Sequence, residues 1–155
     1  MPSINKSELA IAILIPLAVG SISSLLSANM LNYPMIPETP LSPPSIIFPI
    51  VWTILYILMG ISSYIIYNSK SPDKNEALKL YALQLFFNFA WSILFFNFSQ
   101  YFLSFLWLIA LIILIILMIV AFYKIEPLAA YLQIPYLLWC IFAAILNFLI
   151  YLAAN

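Results

Sequence analysis

The feature of this chain that most restricts its fold is the length of its uncharged segments. Charged side chains bound uncharged stretches of 29 residues after Glu8, 31 after Glu38, 44 after Lys79 and 29 after Glu126. A helix that crosses a lipid bilayer needs about 20 mainly apolar residues. Each stretch therefore accommodates one membrane span, and the stretch of 44 accommodates two helices joined by a tight turn.

The composition agrees with a membrane protein and excludes several other classes. The chain is 66% hydrophobic and 6% charged, whereas soluble domains are roughly half apolar and about one quarter charged. Intrinsic disorder requires the opposite balance, with low hydrophobicity and high charge. The formal net charge is zero, so the chain lacks the basic footprint of a nucleic-acid-binding protein, and we expect no nucleic-acid partner.

Two features of the side-chain inventory narrow the chemistry. The sequence has no histidine, which removes the common zinc sites and the serine-histidine-aspartate triad. The one cysteine, Cys140, allows neither an internal disulfide nor a CxxC motif. We therefore expect no metal site and no resident cofactor, and we favour a function other than enzymatic catalysis.

We predict an all-α membrane protein, a five-transmembrane-helix bundle that forms a single domain over residues 1–155. The helices are expected at about 9–29, 46–67, 78–98, 102–123 and 128–152. Continuous apolar runs favour helices over barrel strands, in which apolar and polar residues alternate. We interpret the first run as a span and not a signal peptide, because it continues through Leu25-Leu26 and carries Pro16.

The lysines predict an orientation for the bundle. When the loops are assigned alternately to two sides, all five lysines fall on the side of the N-terminus, the 68–77 loop and the 124–127 turn. The positive-inside rule then places the N-terminus in the cytoplasm, and the 30–45 loop and the C-terminus outside the cell membrane. Six tyrosines near span ends are interpreted as interfacial anchors: Tyr64, Tyr67, Tyr81, Tyr101, Tyr123 and Tyr151.

Aromatic and amide side chains share one face on three of the expected helices. In chain order they are Phe48, Trp52 and Tyr56, then Gln84, Asn88, Trp91 and Phe95, then Tyr136, Trp139, Ala143 and Asn147. In the assigned orientation these faces converge in or near the outer halves of the helices. The convergence predicts an apolar pocket with a few polar groups, although the same side chains could serve only to pack and hydrogen-bond the helices.

The predicted pocket suits a flat, apolar, conjugated ligand, because indole and phenol rings bind planar molecules by offset stacking. The small side chain of Ala143 would leave room for such a ligand beside Trp139. Asn88 is either a polar contact for the ligand or an interhelical hydrogen bond. The one charged residue inside an expected span is Lys79, in the first turn of the third, which argues against ion-coupled transport.

Two segments near the predicted pocket each allow two interpretations. The 30–45 loop carries prolines at 34, 37, 40, 43 and 44; their fixed φ predicts a stiff segment, which is either a lid over the pocket or a spacer. On the first helix, Gly20, Ser24 and Ala28 recur at four-residue steps. This small-residue ridge permits close helix contact, either in a dimer or inside the bundle.

The segment from Pro43-Pro44 through Phe48-Pro49-Ile50-Val51-Trp52 to Met59-Gly60 resembles the TspO/MBR family of tryptophan-rich sensory and translocator proteins. Further blocks that carry the resemblance are Tyr81 to Trp91, Pro135 to Asn147, and the pair Pro16 and Gly20. Together these blocks cover essentially the whole chain. The resemblance implies a five-helix bundle, commonly a homodimer, that binds porphyrins; some bacterial members promote light-dependent breakdown of protoporphyrin.

The resemblance and the shared faces together give the candidate ligand-binding residues. They are Phe48, Val51, Trp52, Tyr56, Asn88, Trp91, Trp139, Ala143 and Leu146. Trp52 and Trp139 match the indole pair that the family uses in porphyrin breakdown, so they would be the catalytic residues of a photo-oxidative enzyme. The chain departs from the family at Leu41, where many members have tryptophan, and at its C-terminus, which lacks the basic residue of the cholesterol motif.

Three functions follow from these observations. We favour an integral membrane binding or sensory protein for porphyrin-like or other flat apolar ligands. The alternatives are a light-dependent porphyrin-degrading enzyme and a transporter of apolar solutes. The expected partners are an apolar aromatic small molecule, the lipid bilayer and a second copy of the chain.

The lysine asymmetry predicts the topology in cells. A reporter fused after Asn155 should respond as an extracytoplasmic domain, and a reporter inserted in the 70–76 loop should respond as a cytoplasmic one. A cytoplasmic signal from the fusion at Asn155 would contradict the orientation and move the mouth of the pocket to the other membrane face.

Overall fold

The structure, a computed structural model, describes residues 3–29, 38–44 and 46–155, and it is helical throughout its long segments. The helices are α1 (Lys6–Asn29), α2 (Ile47–Tyr67), α3 (Lys74–Ser92), α4 (Tyr101–Ile125), α5 (Pro127–Tyr131) and α6 (Ile134–Ala154). They form five stretches that are long and apolar enough to cross a membrane. The predicted all-α bundle with five transmembrane helices is therefore confirmed.

The helix order brings all five lysines to one end of the bundle, which we call the lysine end. They lie at the start of α1, around the α2–α3 junction and in the last turn of α4. The opposite end, which we call the loop end, carries residues 38–44 and the turn between the third and fourth spans. Helices α3 and α6 both run from the lysine end to the loop end, whereas α2 runs the other way.

The third span differs from the prediction at both of its ends. It begins at Lys74, one turn before the expected 78, because hydrophobicity marks only the part of a helix that lies in lipid. Glu76 and Lys79 pair on the exposed first turns at 2.9 Å. At the loop end the helix widens into a π-helix over Ile93–Asn97, a form that places an extra residue in one turn.

The fifth span is two helices, and the prediction of one continuous helix over 128–152 was wrong. Pro135 lacks an amide hydrogen and its ring obstructs the preceding turn, which breaks a helix. At the break, the amide of Gln133 donates to the carbonyl of Ala130 at 3.0 Å. The carbonyl of Ala129 instead accepts a hydrogen bond from the Ser62 hydroxyl of α2 at 2.6 Å, so the break ties α5 to α2.

Close contact between α1 and α2 depends on two glycines. A Cβ atom at Gly60 would overlap the backbone of α1 at Ile13, and a Cβ atom at Gly20 would overlap the ring of Tyr56. Gly20 therefore belongs to a seam inside the bundle, whereas Ser24, the next member of the small-residue ridge, is exposed. The side chain of Ala28 lies outside the described residues.

The apolar core has a large part and a small part. The large cluster fills the middle of the bundle and extends to the lysine end, with Met59, Ile115, Met118 and Phe122 fully buried. The small cluster lies at the loop end and contains Phe95, Leu146 and Ile150. Many other large apolar side chains face outward, as expected for helices whose outer surface meets lipid.

One of the six tyrosines interpreted as interfacial anchors is not at an interface. Tyr81 is buried, and its ring packs against Phe122 with 6.4 Å between the ring centroids. The interpretation was wrong because α3 begins at Lys74, which places Tyr81 about two turns inside the bundle. Tyr67 and Tyr123 are more than half exposed near the lysine end, which suits anchoring.

The Gly60 contact predicts a strong effect from a single methyl group. Gly60→Ala should force α1 and α2 apart and lower the free energy of unfolding by about 2 kcal/mol, the usual cost of overpacking. Thermal unfolding in lipid nanodiscs measures this, and Thr53→Val on the exposed face of α2 is the control that should leave Tm unchanged. Equal Tm for Gly60→Ala and the wild type would contradict the close α1–α2 contact.

Candidate ligand site

Aromatic rings bridge α2 and α6, two helices whose backbones are not among the closely packed pairs of the bundle. The rings of Phe48 and Trp139 meet edge to face with their centroids 6.0 Å apart. One turn toward the lysine end, Trp52 meets Tyr136 in the same way at 6.2 Å. Trp52 also stacks on Tyr56 of its own helix at 5.5 Å. Side chains, and not close backbone packing, therefore define the space between these helices.

An apolar groove of about 410 Å³ lies between α2 and α6, within the usual size range of small-molecule sites. Its lining residues are Val51, Ile54, Leu55, Pro135, Leu138, Trp139 and Phe142. Ile54 and Leu138 are more than half exposed on the outer surface. The groove thus opens on the side of the bundle, where lipid would lie, and its walls carry an indole and a phenyl ring.

The groove is bordered at the loop end by the small apolar cluster. Phe48 and Phe142 pack against that cluster, as does Trp91. The indole N–H of Trp91 donates to the amide oxygen of Asn147 at 3.0 Å. Asn147 in turn donates to the carbonyl of Tyr101 at 2.8 Å. This hydrogen-bonded pair fixes the Trp91 ring, so one border of the groove is rigid.

The π-helix contributes to the same border. It turns Phe95 inward, where only 4% of the residue is exposed, and places Phe96 against it with 4.9 Å between ring centroids. Phe95 also stacks on Trp91 at 5.3 Å. A widened turn changes which residues share a face, and no residue type in Ile93–Asn97 signals it. The sequence therefore predicts the helix face of Phe95 but not the packing of Phe96 against it.

A buried chain of hydrogen bonds joins three helices beside the groove. The Tyr56 hydroxyl donates to the Asn88 amide oxygen at 3.0 Å, and the Asn88 amide nitrogen donates to the Tyr136 hydroxyl at 2.8 Å. The Tyr136 hydroxyl donates to the Gln84 amide oxygen at 2.7 Å. We call these four residues the polar floor. Asn88 uses both ends of its amide here, which matches the interhelical hydrogen bond considered above.

Eight of the nine candidate residues fall into three groups in the structure. Val51 and Trp139 line the groove. Phe48 contacts the ring of Trp139, whereas Trp52 contacts Tyr136, which is not a lining residue. Trp91 and Leu146 belong to the border at the loop end, and Tyr56 and Asn88 belong to the polar floor. Ala143 is half-buried against the large core cluster and is not among the groove-lining residues.

Several groove residues escaped the sequence analysis. Ile54, Leu55, Pro135, Leu138 and Phe142 line the groove without belonging to any of the selected faces. Phe142 follows Trp139 by one helical turn, so its position on the same helix face was predictable from the sequence. The others are apolar residues like many in the chain. Their place in the groove depends on the distance between α2 and α6, which no local sequence pattern shows.

Part of the expected lid can be described. Residues 30–37 and 45 lie outside the described residues. In the remainder, the Ser42 amide donates to the Thr39 carbonyl and the Thr39 amide donates to the Ser42 hydroxyl, both at 3.0 Å. These bonds form a compact turn directly before Pro43-Pro44, and Leu41 is half-exposed on it.

The model of the TspO/MBR family matches residues 12–152. The chain belongs to the TspO/MBR family. It is 36% identical to the tryptophan-rich protein TspO of Archaeoglobus fulgidus over 150 residues, which cover 96% of this chain and 97% of that protein. It is 35% identical to the translocator protein of Sus scrofa over 143 residues, covering 89% of this chain and 85% of that protein.

A third relative carries a sensory name. The tryptophan-rich sensory protein of Cereibacter sphaeroides is 31% identical over 107 residues, which cover 69% of this chain and 66% of that protein. Membership in the family supports a multi-pass membrane protein with a sensory or binding role. The described residues contain no group of three histidine, cysteine, aspartate or glutamate side chains that could hold a metal ion.

The polar floor predicts that Asn88 matters for stability. Asn88→Leu should leave the hydroxyls of Tyr56 and Tyr136 short of partners and lower the free energy of unfolding by about 2 kcal/mol. Tyr56→Phe removes only one of these bonds and should lose about half as much. Thermal unfolding of the ligand-free protein measures both, with Thr53→Val on the exposed face of α2 as the control.

A different outcome would identify Asn88 as a ligand contact. If Asn88→Leu keeps its Tm but binds porphyrins with polar edges more weakly, while purely apolar ligands bind as before, the amide serves the ligand and not the helix contact.

Proposed function

We propose that this protein binds porphyrin-like or other flat, apolar, aromatic molecules in the groove between α2 and α6, as a membrane binding or sensory protein. The observation that carries the proposal is the composition of the groove walls, which are predominantly apolar and include the indole of Trp139. Family membership supports the coarser role, because relatives of this chain are named translocator and sensory proteins.

The two indoles beside the groove offer both a surface and a hydrogen bond to a ligand. Within the described part of the chain, the indole N–H groups of Trp91 and Trp107 donate to an amide oxygen and a carbonyl oxygen. No such bond is formed there by Trp52 or Trp139. Trp139 therefore supplies a planar apolar face in the groove together with an uncommitted donor, the combination that a planar molecule with polar edges needs, and Trp52 holds a second uncommitted donor one turn away.

A second candidate function uses the same pair of rings. Light-dependent porphyrin breakdown would place Trp52 and Trp139 beside the excited ligand, as the family resemblance implies. Trp139 lines the groove, and Trp52 reaches the neighbouring ring of Tyr136, which favours this function over transport. Transport of apolar solutes remains the third candidate, for which the nearly uncharged spans offer no means of ion coupling.

We also propose the setting in which the protein acts. It lies in the cell membrane with the lysine end in the cytoplasm, in accordance with the positive-inside rule. It associates as a homodimer, as the family resemblance implies. The exposed side of α1, with Ser24 among large apolar residues such as Leu14 and Leu25, is a surface on which a second copy could pack.

Titration with protoporphyrin in the dark, followed by illumination, tests the proposed function. Saturable quenching of tryptophan emission without any change in the porphyrin spectrum supports binding alone. Loss of the Soret band in the light, abolished in Trp139→Phe, supports the photo-oxidative enzyme. Quenching that does not saturate would contradict a porphyrin site altogether.

A groove-filling variant tests where the ligand binds. Val51→Phe should weaken binding at least tenfold, about 1.4 kcal/mol, because the added ring occupies the groove. Ile113→Phe adds the same kind of bulk to an exposed position on α4 and should bind normally. Both variants should keep the Tm of the wild type. Unchanged affinity of a folded Val51→Phe protein would place the ligand outside the groove.

A further inference from the structure

The interior of the bundle contains polar atoms without partners. Gln133 is fully buried, and neither its amide oxygen nor its amide nitrogen has a hydrogen-bond partner among the described residues. The amide nitrogen of Gln84, also fully buried, has none within the same ranges, and the Tyr81 hydroxyl lies beside Ser63 without reaching good hydrogen-bond geometry. Burying an amide without a hydrogen-bond partner is energetically costly, so these atoms need a partner.

The geometry of the helices brings these atoms to one place. Gln84 of α3 and Tyr136 of α6 are hydrogen-bonded at 2.7 Å, and the two helices run in the same direction. Tyr81 lies three residues before Gln84, and Gln133 lies three residues before Tyr136, with φ −91° and ψ −9° continuing the helical turn. Residues three apart share a helix face, so the helix directions place Tyr81 and Gln133 on the facing sides of α3 and α6, one turn toward the lysine end.

Helix α2 closes the third side of this cluster. Ser63 lies two turns from Tyr56 toward the lysine end, beside the Tyr81 hydroxyl. The Ser63 hydroxyl donates to the carbonyl of Gly60 at 3.0 Å, which leaves its oxygen free to accept. The cluster therefore offers amide and hydroxyl donors together with amide and hydroxyl acceptors, and all its members are buried.

The chemistry of the cluster selects its occupant. An ion is disfavoured because the cluster contains no acidic or basic side chain, and the lysines and acids of the described chain lie at the ends of the helices. A molecule that accepts from Gln84 and Gln133 and also donates to the Gln133 oxygen must be small, neutral and both donor and acceptor. Water meets these conditions, and buried waters typically make about three hydrogen bonds to otherwise unpaired polar groups.

We propose that Ser63, Tyr81, Gln84 and Gln133 enclose a buried water-binding site at the break between α5 and α6. Its water bridges Gln133 to Gln84, which accepts the hydrogen bond of Tyr136. The site thus connects the bend of the fifth span to the polar floor. It does not depend on the nature of the ligand in the groove, so it stands or falls separately from the proposed function.

The direction of the change in Tm on substitution tests the proposal. Tyr81→Phe and Gln133→Leu should each lower the Tm by about 3 °C, because each removes a ligand of the water and leaves Gln84 short of a partner. The double variant should lose little more than either single one, since both residues hold the same water. Tyr67→Phe, at an exposed tyrosine, is the control and should not change the Tm.

Hydroxyl-radical labelling by X-ray radiolysis detects the water directly, because buried side chains are modified where bound water lies beside them. Tyr81 should be labelled in the full-length protein in nanodiscs, and the labelling should disappear in Gln133→Leu. A higher Tm for Gln133→Leu would show a dry, unpaired amide and overturn the proposal. Additive losses in the double variant, or an unlabelled Tyr81 in the wild type, would overturn it as well.

Discussion

The hydrogen bonds of Asn88 to Tyr56 and Tyr136 are the interaction on which the arrangement of the spans depends. Apolar side chains gain little by leaving lipid for a protein interior, so helices in a membrane are held by close packing and by polar contacts between them. One amide here links α2, α3 and α6. The remaining helices are positioned by close packing, as where Gly60 admits the backbone of α1, and by further polar contacts, such as that of Ser62 with the Ala129 carbonyl of α5.

The polar floor also divides the interior into two environments. Toward the loop end lie the aromatic rings and the groove, where the lining is apolar and opens on the lipid side. Toward the lysine end lie Gln133 and its neighbours, where buried polar groups outnumber their protein partners. Tyr136 touches both, through its ring on Trp52 and its hydroxyl on Gln84. A ligand that moves Trp52 would therefore change side-chain contacts on both sides of the polar floor.

The sequence predicted the spans well and their irregularities poorly. Uncharged length alone located five membrane helices, because lipid tolerates few charges and spans have a fixed minimum length. The break before Ile134 was not predicted, although Pro135 stands in the sequence. Proline fits the first turn of a helix, so Pro135 alone does not show that a separate helix precedes it. The burial of Tyr81 was missed because the helix extends beyond the apolar segment.

The sequence by itself determined the number of spans and the family to which the chain belongs. It also determined the helix faces on which Trp52, Asn88 and Trp139 lie. These properties follow from local periodicity and from the solvent that each segment requires. The tertiary structure alone decided the width of the gap between α2 and α6 and the occupation of both ends of the Asn88 amide. It also decided the isolation of Gln133. Such properties depend on distances between residues remote in the chain, which helix packing sets and no local pattern encodes.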